Sequence, residues 1–267
     1  MTNPSDADFS LLLWTLGLAV TGLAWHLSNG WLRIAQLGPG LREQWRALAL
    51  SAAALGLGLN AAIVLGLQAQ PMAFALGFHT LGALGLVAGS LLLCLPVVAL
   101  PAQATPWRLV LSGVVLAVLA LGLHAGWVLA AGFRPGVLWR REVLAAAALV
   151  LLVGMVLARW MAFSAASEAS PRRLAWRLAA AVLGAFTLMA GQELVSVAAG
   201  VSAQRGSVFQ HQLHGTVLSM VCGVLVPLAM GAMALDLWLR RRQRPRRGEA
   251  GLQPKKRRKR RHRIRTL

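Results

Sequence analysis

Residues 46–67 read RALALSAAALGLGLNAAIVLGL, and this stretch decides the fold. After Arg46 it carries no charge, and its only other polar side chains are Ser51 and Asn60. As a helix rising ~1.5 Å per residue it is about 33 Å long, enough for the ~30 Å hydrocarbon core of a bilayer. A membrane strand would put apolar residues at every second position, whereas here both parities are apolar. Six further runs have the same character, at 9–28, 73–99, 108–132, 142–164, 174–199 and 208–239. The expectation is an all-α polytopic membrane protein with seven transmembrane helices. The last run is long and is expected to begin outside the membrane as an exposed turn of helix.

Composition agrees. The 267 residues are 57% hydrophobic and 13% charged, with a mean hydropathy of +0.63. Soluble domains carry about 25% charged residues, so this chain has too little polar surface for a water-soluble fold. That excludes a soluble enzyme, a secreted disulfide scaffold and a disordered chain. Cys94 and Cys222 both lie inside apolar runs and read as small hydrophobes. The chain divides into a short N-terminus (1–8), a bundle (9–239) and a basic tail (240–267).

The net charge of +19 is concentrated in that tail. Residues 237–267 hold fifteen Lys and Arg against one acid, Glu249, so +14 of the total sits there. Arg240, Arg241, Arg242, Lys255, Lys256, Arg257 and Arg258 are expected to anchor the chain to anionic lipid headgroups, and the tail to be disordered. No aromatic residues interleave the tail cations, which argues against nucleic acid as a partner. Among the loops, Arg33, Arg42, Arg46, Arg108, Arg159, Arg172, Arg173 and Arg177 fall on one side of the membrane. Arg134, Arg140, Arg141 and Arg205 fall on the other. The positive-inside rule then predicts the N-terminus outside and the C-terminus cytoplasmic. Asp6 and Asp8 replace the basic start of a signal peptide, so the first span is expected to be kept. The expected location is a bacterial inner membrane, and Arg-over-Lys usage with the Ala/Leu/Gly bias suggests a GC-rich genome.

Ionisable groups inside spans cost on the order of 2.5–3.5 kcal/mol and mark candidate sites. Under the predicted topology His79, His124, Asn60, Gln192, Glu193, Gln210, His211 and His214 all fall in the outer half. The inner halves look nearly devoid of polar groups apart from His26. His211 and His214, three apart, are expected on one helix face. With His79, His124 or Glu193 they form a candidate set for copper, zinc or haem. The competing reading makes His211, His214 and the glutamines an interfacial cap. In that reading His79 and His124 bond to nearby backbone, and Glu193 reaches water or pairs with Arg205.

Spans two, four and six share offsets: Gly58-Leu59-Asn60-Ala61, Gly122-Leu123-His124-Ala125 and Leu188-Met189-Ala190-Gly191 open comparable segments. In layout the chain resembles the MHYT family of seven-helix integral membrane sensor domains, which repeat Met-His-Tyr-Thr near the outer ends of those spans. Here that motif would fall on Ala62-Ile63-Val64-Leu65, Gly126-Trp127-Val128-Leu129 and Gln192-Glu193-Leu194-Val195, with no His among them. The resemblance implies a seven-span sensor with an outside N-terminus, but does not supply that family's copper ligands. Every Lys lies at 255, 256 or 259, which excludes a retinal Schiff base in a span. No phosphate loop, dinucleotide, zincin or serine-elbow motif is present. The expected function is a membrane sensor or ligand-binding protein, leaning non-enzymatic, with a polar, metal-capable site in the outer half. The alternatives are a small-solute or proton-coupled transporter, and an accessory protein with a membrane-protein partner.

Overall fold

The computed structural model describes residues 9–37, 40–103, 105–167 and 172–250. Seven helical segments are long and apolar enough to cross a membrane. They are α1 (Leu11–Leu37), α2 (Leu41–Ala69), α3 (Thr80–Ala99), α4 (Pro106–Ala130), α5 (Arg141–Ser167), α6 (Arg172–Ala198) and a last segment in two parts. That last segment comprises α7 (Gly215–Met220), a π-helical turn at Val221–Leu225, and α8 (Val226–Ala250).

The first six helices pack in a ring, each against the next, and α6 closes on α1; α2, α4 and α6 also meet in the middle. The centre is α2, where every residue from Gly58 to Leu67 is buried. Small residues permit this closeness. A Cβ on Gly58 would strike Ala24 of α1, one on Gly154 of α5 would strike Thr187 of α6, and one on Gly184 of α6 would enter the Trp25 indole. The seventh span lies outside the ring against α1 and α2 and leaves most of its surface exposed.

That span is not a uniform helix, and Pro227 explains why. Proline has no N–H to give the Gly223 carbonyl, and its ring crowds that carbonyl. The helix widens instead, and the Val226 N–H bonds five residues back to Val221 O. Beyond the span α8 runs on to Ala250, ten residues past the point where the tail was expected to lose regular structure. Its arginines are good helix formers, whereas Pro245 and Gly248 within the same stretch are poor ones. Lys255, Lys256, Arg257 and Arg258 lie outside the described residues.

The two ends of the bundle differ. At one end the segments 70–79, 131–140 and 199–214 fold into a cap. In it β1 (Gly77–Phe78) pairs antiparallel with β4 (Leu213–His214), and β2 (Phe133–Arg134) with β3 (Gly206–Ser207). Ser207 Oγ lies within hydrogen-bond reach of the Gly77 and Ala131 carbonyls, tying the two pairs together. The sequence suggested that the last span begins with an exposed helical turn over 208–214. Residues 208–212 form a turn and Leu213–His214 pair with β1 instead, and the helix starts at Gly215. At the other end the inter-helix connections are short and arginine gathers; we call this the arginine end. Here α1 corrects its sequence-based boundary. The apolar run stopped at Ser28, but the helix continues to Leu37, because Trp31, Leu32, Ile34 and Ala35 resume the buried face after Asn29 and Gly30.

Candidate functional site

The polar residues singled out in the sequence do not converge. Asn60 and Trp127 form a buried core contact: Trp127 Nε1 donates to Asn60 Oδ1 at 2.9 Å, while Asn60 Nδ2 donates to Ser90 Oγ and Gly56 O. His124 is fully buried and bonds to the Ala120 carbonyl one turn back. Gln192 is fully buried and donates to Ser196 Oγ at 3.2 Å. His79 caps α3, its Nδ1 accepting from Gly82 N–H at 3.1 Å, and its ring packs 5.0 Å from that of Phe209. Glu193 is half-buried and accepts from Gln70 Nε2 at 2.9 Å; Arg205, its expected partner, instead donates its backbone N–H to Arg134 O. Gln210 is half-buried on the cap near Arg134 and Arg205. His211 and His214 are exposed, and they precede the helix rather than sharing a face of it, because β4 draws that segment into the cap. Among the described residues no three His, Cys, Asp or Glu side chains cluster as a metal would require.

The arginine end holds the arrangement that the sequence reading missed. On α1, His26, Asn29, Arg33 and Gln36 recur at i, i+3, i+7 and i+10, so they form one stripe along a helix face. Asn29, Arg33 and Gln36 line a cleft of about 30 Å³, completed by Pro101, Leu109 on α4, and Arg159 and Phe163 on α5. Gln36 Nε2 donates to Pro101 O at 3.3 Å and fixes the rim. A narrower crevice of about 10 Å³ lies on the other side of Asn29, against His26, Gly30 and Arg177 of α6.

Arg159 is the unusual member. It is only 2% exposed. Its guanidinium carbon stands 5.0 Å from the centroid of the buried Trp25 ring. None of its three guanidinium nitrogens has a hydrogen-bond partner among the described residues, and the same is true of Arg33 Nη2. Among the described residues no acid lines the cleft. Asp236, at the same end, is already held by Arg46 at 3.1 Å and Arg240 at 3.0 Å. A cation–π contact returns about 0.5–2 kcal/mol, whereas a buried unpaired charge costs several. An anion gripped by the guanidinium forks would offset that cost. The lining therefore offers donors and positive charge, which are means of binding.

A polar stripe at helical spacing within an apolar helix is visible in the sequence, but the end of the first apolar run at Ser28 hid it. Arg159 was visible too, yet it looked like one more inside-facing cation. Comparison with family models, characterised proteins and solved structures yields no match.

Proposed function

We propose that this chain is a non-enzymatic, multi-pass membrane protein of sensor type that binds an anionic ligand in the arginine-lined cleft. In this reading the N-terminus is outside, the cap faces outward, and the arginine end lies on the cytoplasmic side of a bacterial inner membrane. The basic tail holds that end against anionic lipid. One observation carries the reading: a guanidinium that is 2% exposed, on the wall of a cleft, with neither a hydrogen-bond partner nor a lining acid among the described residues. A ligand that binds the folded state raises its stability by mass action. Thermal unfolding of detergent-purified protein against chloride, nitrate, sulfate, phosphate, malonate and citrate is the test. At least one anion is expected to stabilise the wild type at constant ionic strength and to lose that effect in Arg159→Gln. Identical responses of the two proteins to every anion would remove the site.

A further inference from the structure

We propose that the cleft takes a phosphate monoester, its oxygens held by Arg33 and Arg159. This rests on the anion-binding reading and deepens it to a ligand class. Four observations point the same way.

The first is charge. Arg33 and Arg159 bring two positive charges to the cleft, and no acid among the described residues lines it. A phosphate monoester carries about −1.5 to −2 at neutral pH, so it answers that excess better than a carboxylate or a phosphodiester, each with one charge. The second is direction. The cations of the cleft come from two helices, α1 and α5, rather than from one fork. A planar carboxylate satisfies one bidentate guanidinium, whereas a tetrahedral group presents acceptors to several sides.

The third is size. A cleft of about 30 Å³ is roughly twice the minimum that admits one water molecule. It suits the oxygens of a compact headgroup, with the rest of the ligand outside the mouth. The fourth is depth. Arg33 lies in the last turns of α1, Arg177 in the second turn of α6, and Arg159 about 12 Å before the end of α5 at ~1.5 Å per residue. Exposed Trp160, Leu174 and Trp176 stand on the same two helices, and interfacial tryptophans mark the level of lipid headgroups. A phosphate at this depth has two sources, a lipid headgroup or a soluble ester, and their chemistry at the cleft is shared.

The test uses the full chain in phosphatidylcholine nanodiscs. One set contains phosphatidic acid, whose headgroup is a monoester, and a second contains the same fraction of phosphatidylglycerol, a diester. A third has phosphatidylcholine alone with glycerol 3-phosphate or inorganic phosphate in the buffer. Lipid retention by native mass spectrometry and the unfolding temperature are read for wild type, Arg159→Gln and Arg33→Gln. The cationic tail is present in all three proteins, so its own lipid binding cancels in the comparison. The half-buried Arg33 keeps the test open if Arg159→Gln does not fold.

Wild type is expected to retain phosphatidic acid over phosphatidylglycerol by about tenfold, equal to about 1.4 kcal/mol, and both variants to lose the preference. Equal stabilisation by the soluble esters, lost in the same variants, also supports a phosphate site and assigns it the soluble source. If malonate or citrate gives the arginine-dependent effect and the monoesters do not, the ligand class is wrong and the anion site survives. If no anion distinguishes the variants from wild type, both readings fail.

Discussion

At the scale of single residues, the core and the cleft treat polar groups in opposite ways. Asn60 has partners for both its amide donor and its carbonyl: it receives Trp127 Nε1 and gives to Ser90 and Gly56. Such contacts between membrane helices are worth about 0.6–2 kcal/mol. Asn60→Leu is therefore expected to lower stability by about 1 kcal/mol, with the same loss from Trp127→Phe and little further loss in the double variant. Unfolding of the four proteins in mild detergent checks this, and full additivity would show that the two residues do not act together. Among the described residues Arg159 has no such partner, and its guanidinium stands over the Trp25 ring. The sequence made Asn60 conspicuous because it interrupts an apolar run. Arg159 looked ordinary because an arginine near the inside end of a span is expected. Burial separates the two, and burial depends on neighbours contributed by other helices.

Among the elements, the seven spans were legible because a bilayer imposes one length and one polarity on anything that crosses it. Their ends were less so. The first span runs nine residues past its apolar stretch, and those residues carry part of the cleft lining. The last span starts later than its apolar stretch, since 208–212 form a turn and Leu213–His214 pair with β1 in the cap. That single difference separates His211 and His214 from any common helix face. Both cases have one cause: where contacts with other segments satisfy the backbone, local hydropathy no longer sets the boundary. The π turn is the exception, an irregularity that one residue explains. Pro227→Ala supplies the missing N–H, so residues 221–225 are expected to return to α-helical bonding. That removes the extra residue in the turn and rotates α7 by about 100° against α8. Cys222, now buried, should then react faster with a membrane-permeant maleimide in a Cys94→Ala background. An unchanged labelling rate would mean that Pro227 does not hold the turn.

For the whole molecule, the ring of six helices with a seventh laid against it gives two unlike ends. One is closed by backbone pairing between loops, and the other gathers arginines around small crevices. The orientation we propose places the cap outside. Single cysteines introduced at Arg205 and at Arg42, in a chain with Cys94 and Cys222 replaced, test it in intact cells. An impermeant thiol reagent is expected to label position 205 and to spare position 42 until the membrane is opened; the reverse pattern would invert the molecule.

The account turns on whether Arg159 is kept for something outside the chain. The direct measurement is the stability of Arg159→Met with and without phosphate at constant ionic strength. A buried charge without a partner contributes little or negatively to stability, and an apolar side chain of similar length is often neutral or better there. Without phosphate the variant is therefore expected to be at least as stable as wild type, and with phosphate only the wild type should gain. A variant several kcal/mol less stable in both conditions would make Arg159 a structural residue and contradict the account.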